Sequence, residues 1–224
     1  MSMPNVRRRY GQITLLGVVA LTAVACSGGG SGDGDREAAT KAALDSCGRV
    51  LGAENVESVR AELGGNVRAE SKAPDRIKGL LLKTAQEWKP ESDDFSRAAY
   101  DLCLMRAAGE ENRWSVVGSV KWSQLTMQSV SKGEHSAEWR KAADDVYVQR
   151  LARTPGLAAV VPCTLPGTAA GQSEQLPLEM AVLDDGLSED GGALSGRLLS
   201  ALVANTRAFL GCRDSVSVPP VLSP

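Results

Sequence analysis

The sequence is poor in the residue types that most enzyme sites require. Only one of its 224 residues is histidine, and aromatic residues make up 4% of the chain. A single histidine excludes any site that needs two imidazoles, and a Ser-His-Asp triad would depend on His135 alone. The chain has no G-x-S-x-G motif to present a serine nucleophile. His135 lies in a polar stretch and is interpreted as a surface residue.

The amino-terminal apolar run is too short to cross a membrane as a helix. It covers residues 13–25 behind three arginines at 7–9, and its roughly 13 residues fall short of the roughly 20 that a spanning helix needs. Residues 21–26, LTAVAC, resemble the lipobox of bacterial lipoproteins. The resemblance implies that residues 1–25 are a signal peptide and that the Cys26 sulfur carries a diacylglyceryl group. Two acyl chains suffice for stable anchoring to the extracytoplasmic face of the cell membrane.

The same residues leave two alternatives open. Ala23 and Ala25 also satisfy the ordinary A-x-A cleavage rule, which would give a freely secreted protein. The third possibility is an uncut amino-terminal anchor. The cysteine count favours lipidation, because five cysteines are an odd number for an exported chain and lipidated Cys26 would leave four to pair.

Composition argues against nucleic acid as a partner. The chain carries 25 Lys and Arg against 27 Asp and Glu, and removal of the leader would take three arginines and no acid, leaving a net charge of about −5. The expected domain organisation is a lipidated cysteine with a flexible Gly/Ser tether at 26–35, a single α+β extracytoplasmic domain at 36–214 and an extended tail at 215–224.

Hydrophobic periodicity predicts a mixed fold with an antiparallel sheet, amino-terminal helices and a packed carboxy-terminal helix. Helices are predicted at 36–44, 54–63, 74–88 and 193–210. Strands are predicted at 100–106 and 114–122, which form a hairpin, and at 157–163 and 176–183, which pair with each other. Residues 137–151 fit either state, and the apolar spacing is interpreted as a helix that ends before Pro155.

Four cysteines of the body suggest a disulfide framework. Two blocks echo each other, since each combines a β-prone run carrying a cysteine with a helix beside another cysteine. Of three possible pairings, this pattern favours Cys47–Cys103 and Cys163–Cys212. The alternative is that one pair stays unbonded as buried thiols. The separation of these cysteines is too wide for the close pairs of a zinc site.

The layout of the body resembles a class of uncharacterised actinobacterial secreted lipoproteins. The matching pieces are Cys47 followed by Val50 and Leu51, a short helix ending at Gly64, cysteine-bearing strands, and the closing helix at 193–210. The resemblance implies an α+β fold and no defined activity.

Three further patterns could indicate a catalytic, metal-binding or ligand-binding site. Ser129 and Lys132 form an S-x-x-K motif, but the partner motifs of penicillin-recognising enzymes stand in the wrong order. An acidic loop precedes the last helix, and its charges are interpreted as favourable to the helix dipole rather than as a metal site; it contains Asp184, Asp185, Glu189 and Asp190. Four tryptophans could line a cleft, although core packing is the preferred interpretation; they are Trp88, Trp114, Trp122 and Trp139.

These observations favour a non-enzymatic binding or interaction module of the cell envelope, without a cofactor or a metal. Its expected partners are the membrane, through the lipid anchor, and another envelope protein. The alternatives are a small extracytoplasmic enzyme and a carrier of a small apolar ligand. An enzyme predicts a cleft with converging polar groups, a carrier predicts a large apolar pocket, and an interaction module predicts an exposed apolar patch.

Overall fold

The fold is α+β, as the sequence predicts. The computed structural model describes residues 32–91, 97–110, 113–133, 139–185, 187 and 192–223. Thirteen elements occur in the described ranges: α1 Gly32–Leu51, α2 Ala53–Glu62, β1 Val67–Glu70, α3 Pro74–Glu87, β2 Tyr100–Ala107, β3 Val116–Trp122, α4 Met127–Ser131, β4 Arg140–Ala143, β5 Val146–Arg150, β6 Gly156–Val161, α5 Gln172–Gln175, β7 Leu178–Leu183 and α6 Gly192–Leu210.

All seven strands belong to one antiparallel sheet with the order β1-β2-β3-β7-β6-β5-β4. The predicted hairpin of β2 and β3 forms, and β6 pairs with β7 across the predicted loop. Strand β7 is inserted between β3 and β6, so the two predicted pairs become one sheet. The sheet has two edges, β1 and β4, and each edge strand is only four residues long.

Helices α1, α2, α3 and α6 contribute to the main core on one face of the sheet. Alternate strand residues face these helices, as an antiparallel sheet covered on that face requires; in β7 they are Leu178, Met180 and Val182. Helix α6 contributes the broad apolar surface expected from its spacing, and Gly211 follows it with φ of 80°, as a C′ glycine does. A smaller second core lies on the opposite face around Met127, Val130 and Trp139.

The helix predicted at 137–151 is wrong. Strands β4 and β5 form a hairpin there, with Ala143 opposite Val146. Asp144 and Asp145 occupy the turn, and Asp145 has φ of 58°, a left-handed conformation that Asp tolerates better than most residues. The short-range alternation that buries Val146 and Val148 therefore outweighed the helical spacing that began at Trp139.

The amino-terminal helix is longer than predicted. It begins at Gly32, so the last four residues of the expected flexible tether, 32–35, are helical, while residues 26–31 lie outside the described part of the chain. Propagation from the Ala-rich body of α1 explains why a glycine-containing turn is included. The periodicity did not predict β1, α4 or α5, each of which has five residues or fewer.

Both predicted disulfides are present. Cys47 in α1 bonds to Cys103 in β2, and Cys163 after β6 bonds to Cys212 after α6. All four cysteines are buried or partly buried within the main core. Each bond therefore joins the helical layer to the sheet beneath it.

The carboxy-terminal tail packs on α6. Leu222 is fully buried, its N–H donates to the Gly196 carbonyl at 3.1 Å, and the Ser200 hydroxyl donates to the Pro219 carbonyl. Gly196 is helical, and a Cβ added there would lie 2.5 Å from the Leu222 carbonyl oxygen. The absence of a side chain at position 196 is what lets the tail approach the helix.

Arg207, which the periodicity places away from the apolar surface of α6, is in fact buried. Its guanidinium donates to the carbonyls of Pro162 and Asp214, and the Asp214 carboxylate accepts from the Thr164 hydroxyl at 2.7 Å. Burial lowers the pKa of Arg207, and the nearby Asp214 opposes that shift. Hydrogen bonds to backbone carbonyls, which periodicity does not encode, hold this charge in the interior.

We expect Gly196→Ala to lower the free energy of unfolding by about 1–3 kcal/mol, because the new methyl group must displace the tail or distort α6. Chemical denaturation monitored by circular dichroism would measure it. Gly79→Ala is the matched control, since Gly79 lies in α3 with open space around it. The control should be neutral or stabilising by up to about 1 kcal/mol. Equal effects of the two substitutions would contradict tail packing at Gly196.

Candidate functional site

Two residues singled out by the sequence lie outside the described part of the chain. They are Cys26, the predicted lipidation site, and His135. The structure accounts for the other four cysteines, because Cys47, Cys103, Cys163 and Cys212 form the two disulfides. Cys26 is thus the only one of the five cysteines in the sequence that is not in these bonds.

The S-x-x-K motif forms part of a helix cap. Thr126 is the N-cap of α4, and the Ser129 backbone N–H donates to its hydroxyl at 3.0 Å. The Ser129 hydroxyl reciprocates by accepting from the Thr126 backbone N–H at 3.1 Å. Lys132 follows at the C-cap and is exposed. The arrangement is a capping box, in which the serine side chain satisfies backbone groups at the helix start.

Two acids of the predicted acidic loop are described, and each has a protein partner. Asp184 accepts from the Ser195 hydroxyl in the first turns of α6, and Asp185 pairs with Arg113. Glu189 and Asp190 lie outside the described residues. Within the described ranges, no group of three or more His, Cys, Asp or Glu residues is placed to hold a metal ion.

The four tryptophans do not line one cleft. Trp88 and Trp122 belong to the main core, and the Trp122 indole N–H donates to the Leu81 carbonyl at 3.1 Å. Trp139 belongs to the second core, across the sheet. Trp114 is half-buried beneath the guanidinium of Arg106, which lies 4.5 Å from its ring centroid. Three of the four therefore fill cores, in agreement with the preferred interpretation.

A groove, called the edge groove below, lies along the edge strand β1. Its volume is about 1170 Å³. One wall is the amino half of α1, from Arg36 to Leu44, and the other runs from Gly65 to Lys72 and includes β1. Near the end of this second wall, the Ser71 hydroxyl lies 2.8 Å from the Ser46 hydroxyl of α1 and donates to the Leu102 carbonyl at 3.0 Å. These contacts and the adjacent Cys47–Cys103 disulfide fix the distance between α1 and the sheet.

Positive charge dominates the edge groove. Six cationic side chains line it against two acids, Glu37 and Glu70; the cations are Arg36, Lys41, Arg60, Arg68, Lys72 and Arg106. The chain as a whole has a formal net charge of −2, so the groove carries an excess of positive charge on a molecule that is negative overall. Two of the cations have acidic partners, since Arg60 pairs with Glu57 at 2.9 Å and Lys72 pairs with Asp101 at 3.5 Å.

Two of the arginines are direct cross-strand neighbours. Arg68 of β1 is opposite Arg106 of β2, so both side chains project from the same face of the sheet. Like charges directly opposite each other destabilise a sheet, and the Arg106 guanidinium is partly compensated by its contact with the Trp114 ring. Arg68 is exposed and forms no ion pair with any other described residue. The Arg68 guanidinium is therefore accessible to an anion in the groove.

Sequence reasoning missed this groove because it missed β1. A four-residue strand gives too few alternating positions to detect, and the groove cations are spread over four elements and a loop between residues 36 and 106. The available signal was local: V-R-A-E follows the Gly64–Gly65 turn and alternates apolar with charged residues.

Comparison with known proteins adds no relative. No family model, curated protein or solved structure matches this chain. In the described ranges, none of the helices has the length and apolarity needed to cross a membrane.

We expect Ser129→Ala to lower the free energy of unfolding by about 1 kcal/mol, because the capping box of α4 loses one of its two side chains. Ser131→Ala is the matched control. Its hydroxyl is exposed and donates only to the Gln128 carbonyl, so we expect a smaller change. Thermal denaturation would compare them, and a fluorescent penicillin should label neither variant nor the parent. Covalent labelling that Ser129→Ala abolishes would contradict the capping role.

Proposed function

We propose that this protein is a lipid-anchored binding module on the extracytoplasmic face of the cell membrane and that its edge groove contacts another component of the envelope. The observation that carries the binding role is the excess of cationic side chains in the edge groove of a chain whose formal net charge is −2. The anchor is carried by the lipobox-like residues that end at Cys26.

The disulfides support an extracytoplasmic location. Disulfides persist in oxidising compartments and are rare in the reducing cytosol of mesophiles. Four cysteines are bonded here, and both bonds lie within the core that supports the groove. An oxidising compartment would therefore preserve the geometry on which binding depends.

Cysteine parity supports lipidation of Cys26. Once four of the five cysteines are bonded, Cys26 is the remaining one, and it stands where a lipoprotein signal places its modified residue. A modified sulfur also explains how an exported chain tolerates an odd cysteine.

The chemistry of the groove supports recognition as its role. Four of its six cations are arginines, whose guanidinium groups stay protonated at neutral pH and donate several hydrogen bonds in a fixed plane. Such groups are suited to holding carboxylates or phosphates, because they offer charge and directed donors together. The proposed ligand is therefore an anionic envelope component.

We expect mass spectrometry of the membrane-purified protein to find an amino terminus at Cys26 that carries a diacylglyceryl group. Cys26→Ser should abolish the modification and release the protein from the membrane fraction, whereas Ser27→Ala should leave both unchanged. An unmodified thiol at position 26 on the membrane-bound protein would overturn the anchor.

The binding role has a separate test. Crosslinking of the tagged protein in intact cells, followed by purification, should recover a reproducible envelope partner. Reversal of groove charge by Arg68→Glu should reduce that recovery, whereas the same change at Arg140 on the opposite edge should not. Failure to recover any partner above the level given by an unrelated lipoprotein would count against binding, whatever the state of Cys26.

A further inference from the structure

The backbone of β1 offers unpaired hydrogen-bonding groups toward the edge groove. In the antiparallel pair of β1 and β2, the Ala108 N–H donates to the Asn66 carbonyl at 2.9 Å. Hydrogen-bonded pairs recur at every second residue of such a ladder, so Arg68 and Glu70 also exchange bonds with β2. The N–H and C=O groups of Val67 and Ala69 therefore point outward, away from β2.

These outward groups have no hydrogen-bond partner among the described residues. Val67 and Ala69 line the groove, and their side chains are buried in the main core. An unpaired edge is a template for one more strand, which satisfies these groups with its own backbone. The four residues of β1 would accompany an extended segment for roughly 13 Å at about 3.3 Å per residue.

The α1 wall of the groove supplies charge to such a strand. The amino half of α1 contributes Arg36 and Lys41, and neither side chain forms an ion pair with another described residue. Arg68 and Arg106 contribute charge from the opposite face of the sheet. A strand lying against β1 would have side chains projecting toward both faces, and each set would meet arginine or lysine.

We infer that the edge groove binds an extended acidic segment of a partner polypeptide as an eighth strand of the sheet, hydrogen-bonded to Val67 and Ala69. The inference deepens the proposed function and rests on it for the identity of the site. Backbone pairing supplies affinity in this mode, and the cations select acidic side chains. The occupant is thus defined by two properties, an extended backbone and negative charge.

Charge decides against a second copy of this chain as the occupant. Pairing of two β1 edges would bring two grooves together, each with six cations and two acids, and their repulsion would oppose association. The outward backbone groups decide against an anionic lipid surface, since headgroup phosphates accept hydrogen bonds but cannot donate to the free carbonyls of Val67 and Ala69. A polypeptide strand offers donors and acceptors at the spacing of these backbone groups.

The test uses the full chain with both disulfides formed and a peptide of about eight residues that alternates glutamate with threonine. We expect binding that weakens as salt rises, with perturbed amide resonances of Val67 and Ala69 in nuclear magnetic resonance spectra. The matching peptide that alternates lysine with threonine should not bind. Equal binding of the two peptides would overturn the inference.

Backbone methylation of the acidic peptide separates strand addition from simple charge attraction. Alternate peptide N–H groups would face β1, so methylation of one alternate set should weaken binding about tenfold or more, while methylation of the other set should leave it within about twofold. Both methylated peptides keep the same charge. If they bind alike, strand addition is overturned even though charge attraction remains.

Variants of the protein complete the test. Arg68→Glu should raise the dissociation constant of the acidic peptide about tenfold or more, whereas Arg140→Glu makes the same charge change on the opposite edge strand and should leave it unchanged. If the protein forms a dimer that Arg68→Glu abolishes, the inference is overturned in favour of a second copy of the chain. If the protein binds anionic vesicles and not the peptide, it is overturned in favour of a lipid. If the Arg68→Glu variant still recovers the partner from cells, the binding role stands, but the edge groove is not its site.

Discussion

The bond between Cys47 and Cys103 is the constraint on which the rest of the architecture depends. It ties the carboxyl half of α1 to β2, one strand in from the sheet edge. The amino half of α1 runs beside β1, and the two define the edge groove. The second disulfide closes the other end of the helical layer by joining the segment after β6 to the segment after α6. The fold positions a groove between two covalently fixed layers, which limits how far its walls can move.

Long, strongly periodic segments could be predicted from the sequence. The α6 row that contains Leu194, Leu198 and Leu202 and the β2–β3 hairpin were both visible, because burial of one face imposes a regular spacing. The hairpin of β4 and β5 was predicted as a helix because Trp139, Ala143 and Val146 have the spacing of one helical face. The left-handed backbone conformation of Asp145, which forms the turn, cannot be read from the spacing of apolar residues. The disulfide pairs were predictable since each cysteine stood beside an identifiable element.

The edge groove could not be predicted, for a different physical reason. Its walls come from α1 and β1, and its charge comes from residues as far apart as Arg36 and Arg106. Only the register that sets Arg68 against Arg106 brings the two arginines to one face. In the sequence each arginine is an isolated charged residue, and such residues are ordinarily interpreted as exposed to solvent. The site thus depends on strand register and helix placement, and neither can be predicted from local composition.

The position of the groove relative to the proposed anchor limits what can occupy it. Helix α1 begins at Gly32, six residues after Cys26, and even a fully extended chain of that length reaches no more than about 22 Å. The groove opens along the first turns of the same helix, from Arg36 onward. Lipidation of Cys26 would therefore hold the groove close to the bilayer, where segments of membrane-bound proteins are confined with it. Confinement raises the effective concentration of such a segment, so a short edge-strand interaction can suffice where free encounter would be too weak.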